Sequence, residues 1–478
     1  VPALRRARDP GALAIVLHTH MPYVEGFGTW PFGEEWLWEA IVGSYLPLLD
    51  LLDAGAPLTV SLTPVLCDQL AAAGVPERFE AFVGGVRRTT HSEDERGLRA
   101  AGHTELADEL ARAWGEYAAA LEDFRRVGGD MLGAFSAHAQ WTSSATHAVL
   151  PLLASDAGAR LQIHSGVAAH RARFGDGWRG GFWLPECAYE PWLQRPLLDA
   201  GVRAACVELT GRFGLGDDRH LCPLRTGSGL VLVPIDRATM SLVWSDGGYP
   251  ASGLYRDYHH HTLRHHNPWD NDGNPYRHDR ALALTREHAG DFVARTIARI
   301  GSAEPRSNGS LVVCALDTEL LGHWWYEGVA WLGAVVEESA RQGLELIRLD
   351  DALDRIEPVP LAGDDEWPAS SWGAGGDLST WSAPHVAEMA FTARAAELAV
   401  LARGSRAGVT AVRELLALQA SDWAFMVSRA LAEPYARERF AAHSGALDAA
   451  LAAGPEATDA DLRNLAVCAD PALLLSVD

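Results

Sequence analysis

The sequence predicts an α/β protein: a TIM-like barrel with a helical insertion, followed by an all-helical C-terminal domain. Short apolar runs alternate with helical patterns over about 350 residues, as parallel βαβ units do. Polar residues follow several of those runs at once, which is the placement of working groups at the carboxyl ends of barrel strands. Beyond Pro384 no strand pattern remains, and Ala- and Leu-rich helical spacing takes over. The expected division is a barrel over 1–383, with a helical insertion near 91–130, and a helical domain over 384–478.

A chain of 478 residues exceeds one ordinary core. Its 40 basic and 63 acidic residues give a net charge of −23, which argues against nucleic acid or an anionic membrane as the main partner. Seventeen Trp are many for this length, and several sit beside Gly, Pro and polar residues. Such exposed indole faces stack on sugar rings. The six Cys form no C-x-x-C pair and read as reduced thiols of a cytoplasmic protein. Arg5-Arg6-Ala7-Arg8 is basic, but the apolar run at 13–17 is too short for a secretory leader. No stretch approaches a membrane span.

Residues 13–17 form the first expected strand, which delivers His18 and His20 to its end. Spaced i and i+2 on an extended segment, they face the same way. They lack a partner motif for a metal, so hydrogen bonding to a polar ligand is the better reading. Trp30 follows in a Gly- and Pro-containing loop, then a helix over 34–52 and a strand over 58–62. The charged, Ala-rich stretch 91–124 has helical spacing at Leu106, Leu110, Trp114, Tyr117 and Leu121. His147 sits among hydroxyls in Trp141-Thr-Ser-Ser-Ala-Thr-His147, where a binding role and a capping role are equally open. A helix over 161–174 leads to the run Gly181-Phe182-Trp183-Leu184, which has the pattern of a strand buried on both faces. Pro185 ends it for lack of an N–H, and Glu186 follows amid Trp183, Tyr189 and Trp192.

After a helix over 192–200, strands are expected at 204–207, 230–234 and 240–244. The loop 255–276 holds His259, His260, His261, His265 and His266. Adjacent loop side chains diverge, so this tract is not read as a metal site. A helix over 281–300 precedes the strand 311–316, which ends in Asp317 and an aromatic stretch with His323, Trp324 and Trp325. A helix over 329–342 and a last strand at 346–349 complete the barrel. A Pro-, Gly- and Asp-rich linker, 358–376, carries Trp372, and the tail's one buried-looking polar stretch includes Asp422.

Glu186 and Asp317, on different strand ends between aromatic walls, suit glycoside chemistry, in which one carboxyl attacks or acts as base and the other donates a proton. An apolar wall such as Trp324-Trp325 raises a donor's pKa by desolvation. Glu319 and Glu327 lie close in sequence, and chemistry alone leaves the pairing open. There is no G-x-S-x-G elbow, P-loop or dinucleotide fingerprint.

These pieces resemble glycoside hydrolase family 57. The matching motifs, in family order, are His18-Thr-His-Met-Pro22, Trp141 through His147, Trp183-Leu-Pro-Glu-Cys-Ala-Tyr189, Asp317-Thr-Glu-Leu-Leu-Gly-His-Trp-Trp-Tyr-Glu-Gly328 and Ser370-Ser-Trp-Gly373. Ser421-Asp422-Trp423 in the tail also fits. The resemblance is strongest to members that branch 1,4-α-glucans. It implies a (β/α)7 barrel and a retaining double displacement, with Glu186 as nucleophile and Asp317 as proton donor and then base. It implies glucan contacts at Trp372 and Asp422, and at His18, His20 and His147 near the scissile bond. Trp30, Trp183, Arg237, His323 and Trp324 join these as expected substrate contacts. No metal or organic cofactor is implied. The expected partner is an α-glucan, with the chain a monomer or small homo-oligomer. Retention predicts carboxyl groups about 5–5.5 Å apart.

The sequence departs from its relatives between the nucleophile strand and Val243-Trp244-Ser245. The segment 217–229 is short and lacks a Tyr; Arg237 is displaced in register; Ala251 replaces a Gly. A short lid there would admit water, so weak branching with net α-glucan hydrolysis, or short-chain 4-α-transfer, is expected as the alternative. A glucan-binding protein on a decayed barrel and a metal-dependent polysaccharide deacetylase are the other readings weighed.

Overall fold

The computed structural model describes residues 11–27, 33–304, 309–363, 367–458 and 462–474. Trp30 lies outside the described residues.

Strand β1, Ala12–Thr19, is buried along its whole length, as its unbroken apolar run requires. One sheet has the order β3-β2-β1-β8, with β2 at Thr59–Leu62, β3 at Ala139–Trp141 and β8 at Leu311–Asp317; the short β9, Glu345–Leu346, also pairs with β1. All these pairings are parallel. The β1–β8 register sets His18 opposite Asp317. The other sheet has the order β10-β6-β7-β5-β4, with β4 at Gly181–Trp183, β5 at Ala204–Val207, β6 at Leu224–Arg225, β7 at Val231–Pro234 and β10 at Val359–Pro360. It is parallel except for the β6–β7 pair.

Single contacts join the sheets at both edges. Thr142 bridges Phe182 in parallel, with Trp183 N–H donating to Thr142 O at 2.7 Å. Asp236 N–H donates to Val313 O at 2.8 Å. The apolar side chains of β1, β2 and β8 share one core with the helices around them.

The helix Glu34–Ala40 runs through a π-helical turn, Ile41–Tyr45, into Leu46–Asp53. A second π turn, Phe82–Arg87, precedes the helix Arg88–Ala100. Such turns re-aim side chains and recur at functional sites; here they present Tyr45 to Glu319, just past β8, and Arg87 to Glu39 and the carbonyls of Arg264 and His265. Gly322, with φ +100°, packs against the first π turn so closely that a Cβ would lie 1.9 Å from Gly43 O. Only glycine fits there.

The stretch expected to be helical forms the helices Arg88–Ala100, Thr104–Arg126 and Met131–Phe135. The tail is helical: Ala387–Arg403, Gly408–Leu418, Ser421–Ser428 and Glu433–Ala453. Its core, around Val412, Leu415 and Leu447, also takes in Tyr23, Val65 and Leu161. The tail is therefore packed onto the α/β part.

Two expectations need correction, and one strand was not foreseen. Residues 240–244 are not a strand: Asp236 caps the helix Arg237–Met240, its carboxylate accepting from Thr239 Oγ1 at 2.6 Å. The apolar run beyond it turns inward, burying Met240 and Val243. Strand β3 had no pattern to find, because Ala139-Gln140-Trp141 is short and polar in its middle. The final strand stops at Leu346, and Leu349–Arg355 is a helix.

Candidate active site

The carboxyl ends of β1, β4 and β8 open into one cavity of about 1580 Å³. His18, His20, His147, Glu186, Arg237, Asp317, His323, Trp324, Trp372 and Asp422 all line it. Trp183 does not. It is fully buried behind the wall, its ring stacked on His18 at 4.5 Å, so it supports a contact residue instead of being one.

Glu186 and Cys187 have φ of 62° and 49°, and His147 has φ of 60°. Left-handed backbone at non-glycine residues costs about 1–3 kcal/mol each and persists where surrounding contacts impose it. Here the contacts are visible. Trp372 N–H donates to Glu186 O at 3.0 Å, and Ser421 N–H donates to His147 O at 3.1 Å.

The Glu186 carboxylate accepts two hydrogen bonds: Trp372 Nε1–H on Oε2 at 2.9 Å and Ser421 Oγ–H on Oε1 at 2.8 Å. Burial raises its pKa, and these two donors oppose the rise by stabilising the charged form. Asp317 receives no hydrogen bond from the described residues. Burial holds its carboxyl well above the usual range, and the charges of Glu319 and Glu186 push it further. The two carboxyls are thus set apart: one is furnished for the anion, the other for the acid.

Behind Glu186 runs a chain of hydrogen bonds whose direction is fixed by counting protons. Ser421 spends its only O–H on Glu186, so its contact with His147 Nδ1 at 2.9 Å is donated by the imidazole. Burial and the neighbouring His20 hold His18 and His147 well below their ordinary pKa, so both are neutral and carry one ring proton each. His147 Nε2 is then an acceptor, and His18 Nε2–H donates to it at 2.9 Å. His18 Nδ1 accepts from Ser61 Oγ at 3.5 Å. Every donor in the series points towards Glu186.

His20 differs. Burial works against its charge, but Asp422, 2.8 Å from Nε2, and then Glu319 and Glu186 outweigh it and raise its pKa. Asp422 Oδ2 is buried and has no partner among the described residues, which leaves it an acceptor for a ligand hydroxyl. Glu319, with its pKa pushed up to about 7 by burial, accepts from Tyr45 Oη at 2.6 Å and His20 N–H at 3.2 Å. Arg237 pairs with Glu208 at 3.2 Å and donates to Trp372 O at 3.0 Å, so it holds the Trp372 loop.

His20, His147 and Asp422 bring three possible metal-ligand atoms within 4.8 Å of one another. They do not suit an ion in this arrangement. Both His147 nitrogens are engaged, and its ring stacks face to face on His20 at 3.9 Å, so in-plane lone pairs run side by side instead of converging.

No residue of 217–229 lines the cavity. That segment is held elsewhere by Arg299, which donates to Asp217 O and pairs with Asp218. The segment thus does not cover Glu186, and loop 255–276 supplies cavity wall through Arg256, Asp257 and Tyr258. Sequence reasoning missed Ser421 and Tyr258. Ser421 sat in the tail's polar stretch, but nothing in sequence ties that stretch to Glu186.

A family model described as Glycosyl hydrolase family 57 matches residues 141–362, and one described as 1,4-alpha-glucan branching enzyme, C-terminal, matches 385–467. A 1,4-alpha-glucan branching enzyme of Thermococcus kodakarensis is 31% identical over 91% of this chain and 72% of its own length. The crystal structure of a GH57-type branching enzyme from Pyrococcus horikoshii superposes with TM-score 0.83 at 30% identity, covering 91% of this chain and 88% of that one. An alpha-amylase of Thermotoga maritima superposes with TM-score 0.74 at 26% identity, covering 93% of each chain.

Proposed function

The chain belongs to glycosyl hydrolase family 57, and on that premise we propose that it is a 1,4-α-glucan branching enzyme acting by retention. The observation that carries the site assignment is the unequal treatment of the two carboxyls. The Glu186 carboxylate accepts two hydrogen bonds, and the Asp317 carboxyl accepts none from the described residues and has its pKa held well above the usual range by burial.

In this reading Glu186 attacks the anomeric carbon of a bound α-1,4-glucan while Asp317 protonates the departing oxygen. Asp317, now a carboxylate, takes the proton of an incoming 6-hydroxyl, and the sugar leaves Glu186 for the new α-1,6 bond. His18, His20, His147, Arg237, Trp372 and Asp422 serve the donor sugar and its surroundings, either by contact or by holding those that touch it. His323 and Trp324 belong to the side of Asp317. We also infer that strands β1, β2, β3, β4, β5, β7 and β8 wrap into a (β/α)7 barrel. The bridge Thr142–Phe182 and the hydrogen bond from Asp236 N–H to Val313 O support this closure. The division at 383/384 then separates a barrel from a tail that lends it Ser421 and Asp422.

The alternative is α-1,4-glucan hydrolysis, favoured by the likeness to the Thermotoga alpha-amylase. Incubation with amylose, counting new α-1,6 linkages against new reducing ends, decides between them. Reducing ends without branches would overturn the branching reading. Glu186→Gln tests the enzyme reading itself, since it should abolish turnover and spare glucan binding.

A further inference from the structure

We propose that Tyr258 and Trp324, with the Glu35 carboxyl, form a binding shelf for the acceptor glucan chain; this rests on the transfer reading above.

The two rings lie 4.4 Å apart and 30° from parallel, and both line the cavity that holds Glu186 and Asp317. Trp324 is 38% exposed, an unusual state for an indole in a protein wall. His323 meets the edge of Tyr258 at 5.7 Å. The Tyr258 and Trp324 rings therefore back one another face on face, and an indole so supported, exposed to a cavity, is what a sugar ring stacks on. The polar partner is present. Glu35 is 6% exposed and lines the same cavity, and its buried Oε2 has no partner among the described residues. Its other oxygen, Oε1, lies 3.7 Å from the Arg87 guanidinium, and burial pushes the Glu35 pKa up to about 8 against that charge, so the free Oε2 faces the cavity as a hydrogen-bonding group for a sugar hydroxyl.

The shelf is on the correct side. In the second half of the reaction the acceptor O6–H gives its proton to Asp317. The O6–C1 bond forms as the C1–Oε bond to Glu186 breaks, returning the electron pair to that carboxylate. The acceptor must therefore approach past Asp317. Trp324 is on the loop that leaves Asp317, where its N–H donates to Glu319 O at 3.2 Å.

Tyr258 is held in place from the other side. Arg87 donates to the carbonyls of Arg264 and His265, and Asp94 accepts from Thr262 and His266. These contacts fasten loop 255–276 to the helical insertion, so the shelf is ordered before a glucan arrives.

The test uses the full chain with a maltooligosaccharyl α-fluoride donor, whose leaving group needs no acceptor-side contact. Added maltohexaose competes with water for the glycosyl-enzyme. Trp324→Ala and Tyr258→Ala are each expected to lower the ratio of transfer to hydrolysis about tenfold, a ratio read on the glycosyl-enzyme after fluoride has left and so independent of how fast it forms. Tyr258→Phe retains most of the ratio. An unchanged ratio overturns the shelf. A parent that releases no fluoride sinks the transfer reading alone. The shelf is then decided by oxidative footprinting, in which maltohexaose should protect Trp324 and not Trp178. Equal oxidation of Trp324 with and without the sugar overturns it.

Discussion

Ser421 Oγ lies 2.8 Å from Glu186 Oε1, across 235 residues of sequence. It is the last donor in a directed series that begins at Ser61 and passes through His18 and His147. Removing it takes a hydrogen bond from a buried carboxylate and leaves His147 Nδ1–H without its acceptor.

Ser421→Ala is therefore expected to lower kcat about ten- to a hundredfold, the worth of one hydrogen bond to a charged group. Glu186 loses a group that favours its anion, so the acidic limb of the kcat/KM profile moves to higher pH. Ser421→Thr restores both. A profile that stays in place while kcat falls would make Ser421 a packing residue only.

Glu319→Gln shifts the alkaline limb. The Glu319 charge disfavours ionisation of Asp317. Its removal lowers the pKa of Asp317, so the acid form is lost at a lower pH and the alkaline limb moves acidward. A limb that moves to higher pH would contradict this electrostatic account.

Asp317→Asn exchanges activity for stability. Asp317 has a folded-state pKa raised above its unfolded value. The associated stability is fully present below the unfolded pKa and is lost as pH rises through the folded one. Asn cannot ionise, so at pH above the folded value the inactive variant should melt about 2 °C higher than the parent. At pH 4 the difference should vanish. Matched thermal scans at the two pH values check this.

Gly322→Ala should be severely destabilising. Its Cβ would sit 1.9 Å from Gly43 O on a backbone with φ +100°, and about 3 kcal/mol or more of lost stability is expected. A urea midpoint within error of the parent would show that the π turn and the Asp317 loop are not locked together as described.

Five of the six thiols are buried, and Cys187, beside Glu186, has its pKa pushed up by burial. Native protein should therefore keep its activity in iodoacetamide, and thiol titration should report Cys468 alone before denaturation. Rapid inactivation with Cys187 labelled would contradict the packing.

Much of this was readable from the chain. Glu186 and Asp317 were legible because each ends an apolar run long enough to be a buried strand. His18 and His147 were legible as polar residues at such ends. What was not legible depends on contacts distant in sequence. Trp183 looked like a sugar platform, but its indole is enclosed behind His18. Residues 240–244 carried a strand's composition, yet the cap at Asp236 bends the chain into a helix first. Ser421 is a small residue in an Ala-rich helical tail, and no local pattern marks the one hydroxyl that faces a carboxylate.

The placement of Ser421 also sets an order in time. The chain emerges from the ribosome N-terminus first, at about 5–20 residues per second. Both carboxyls and the Trp372 donor are synthesised before the serine that completes the hydrogen-bond series. A nascent chain with every strand already made thus lacks the second donor to its nucleophile. The finished polypeptide, and not the finished sheet, is the first species equipped to cut glucan.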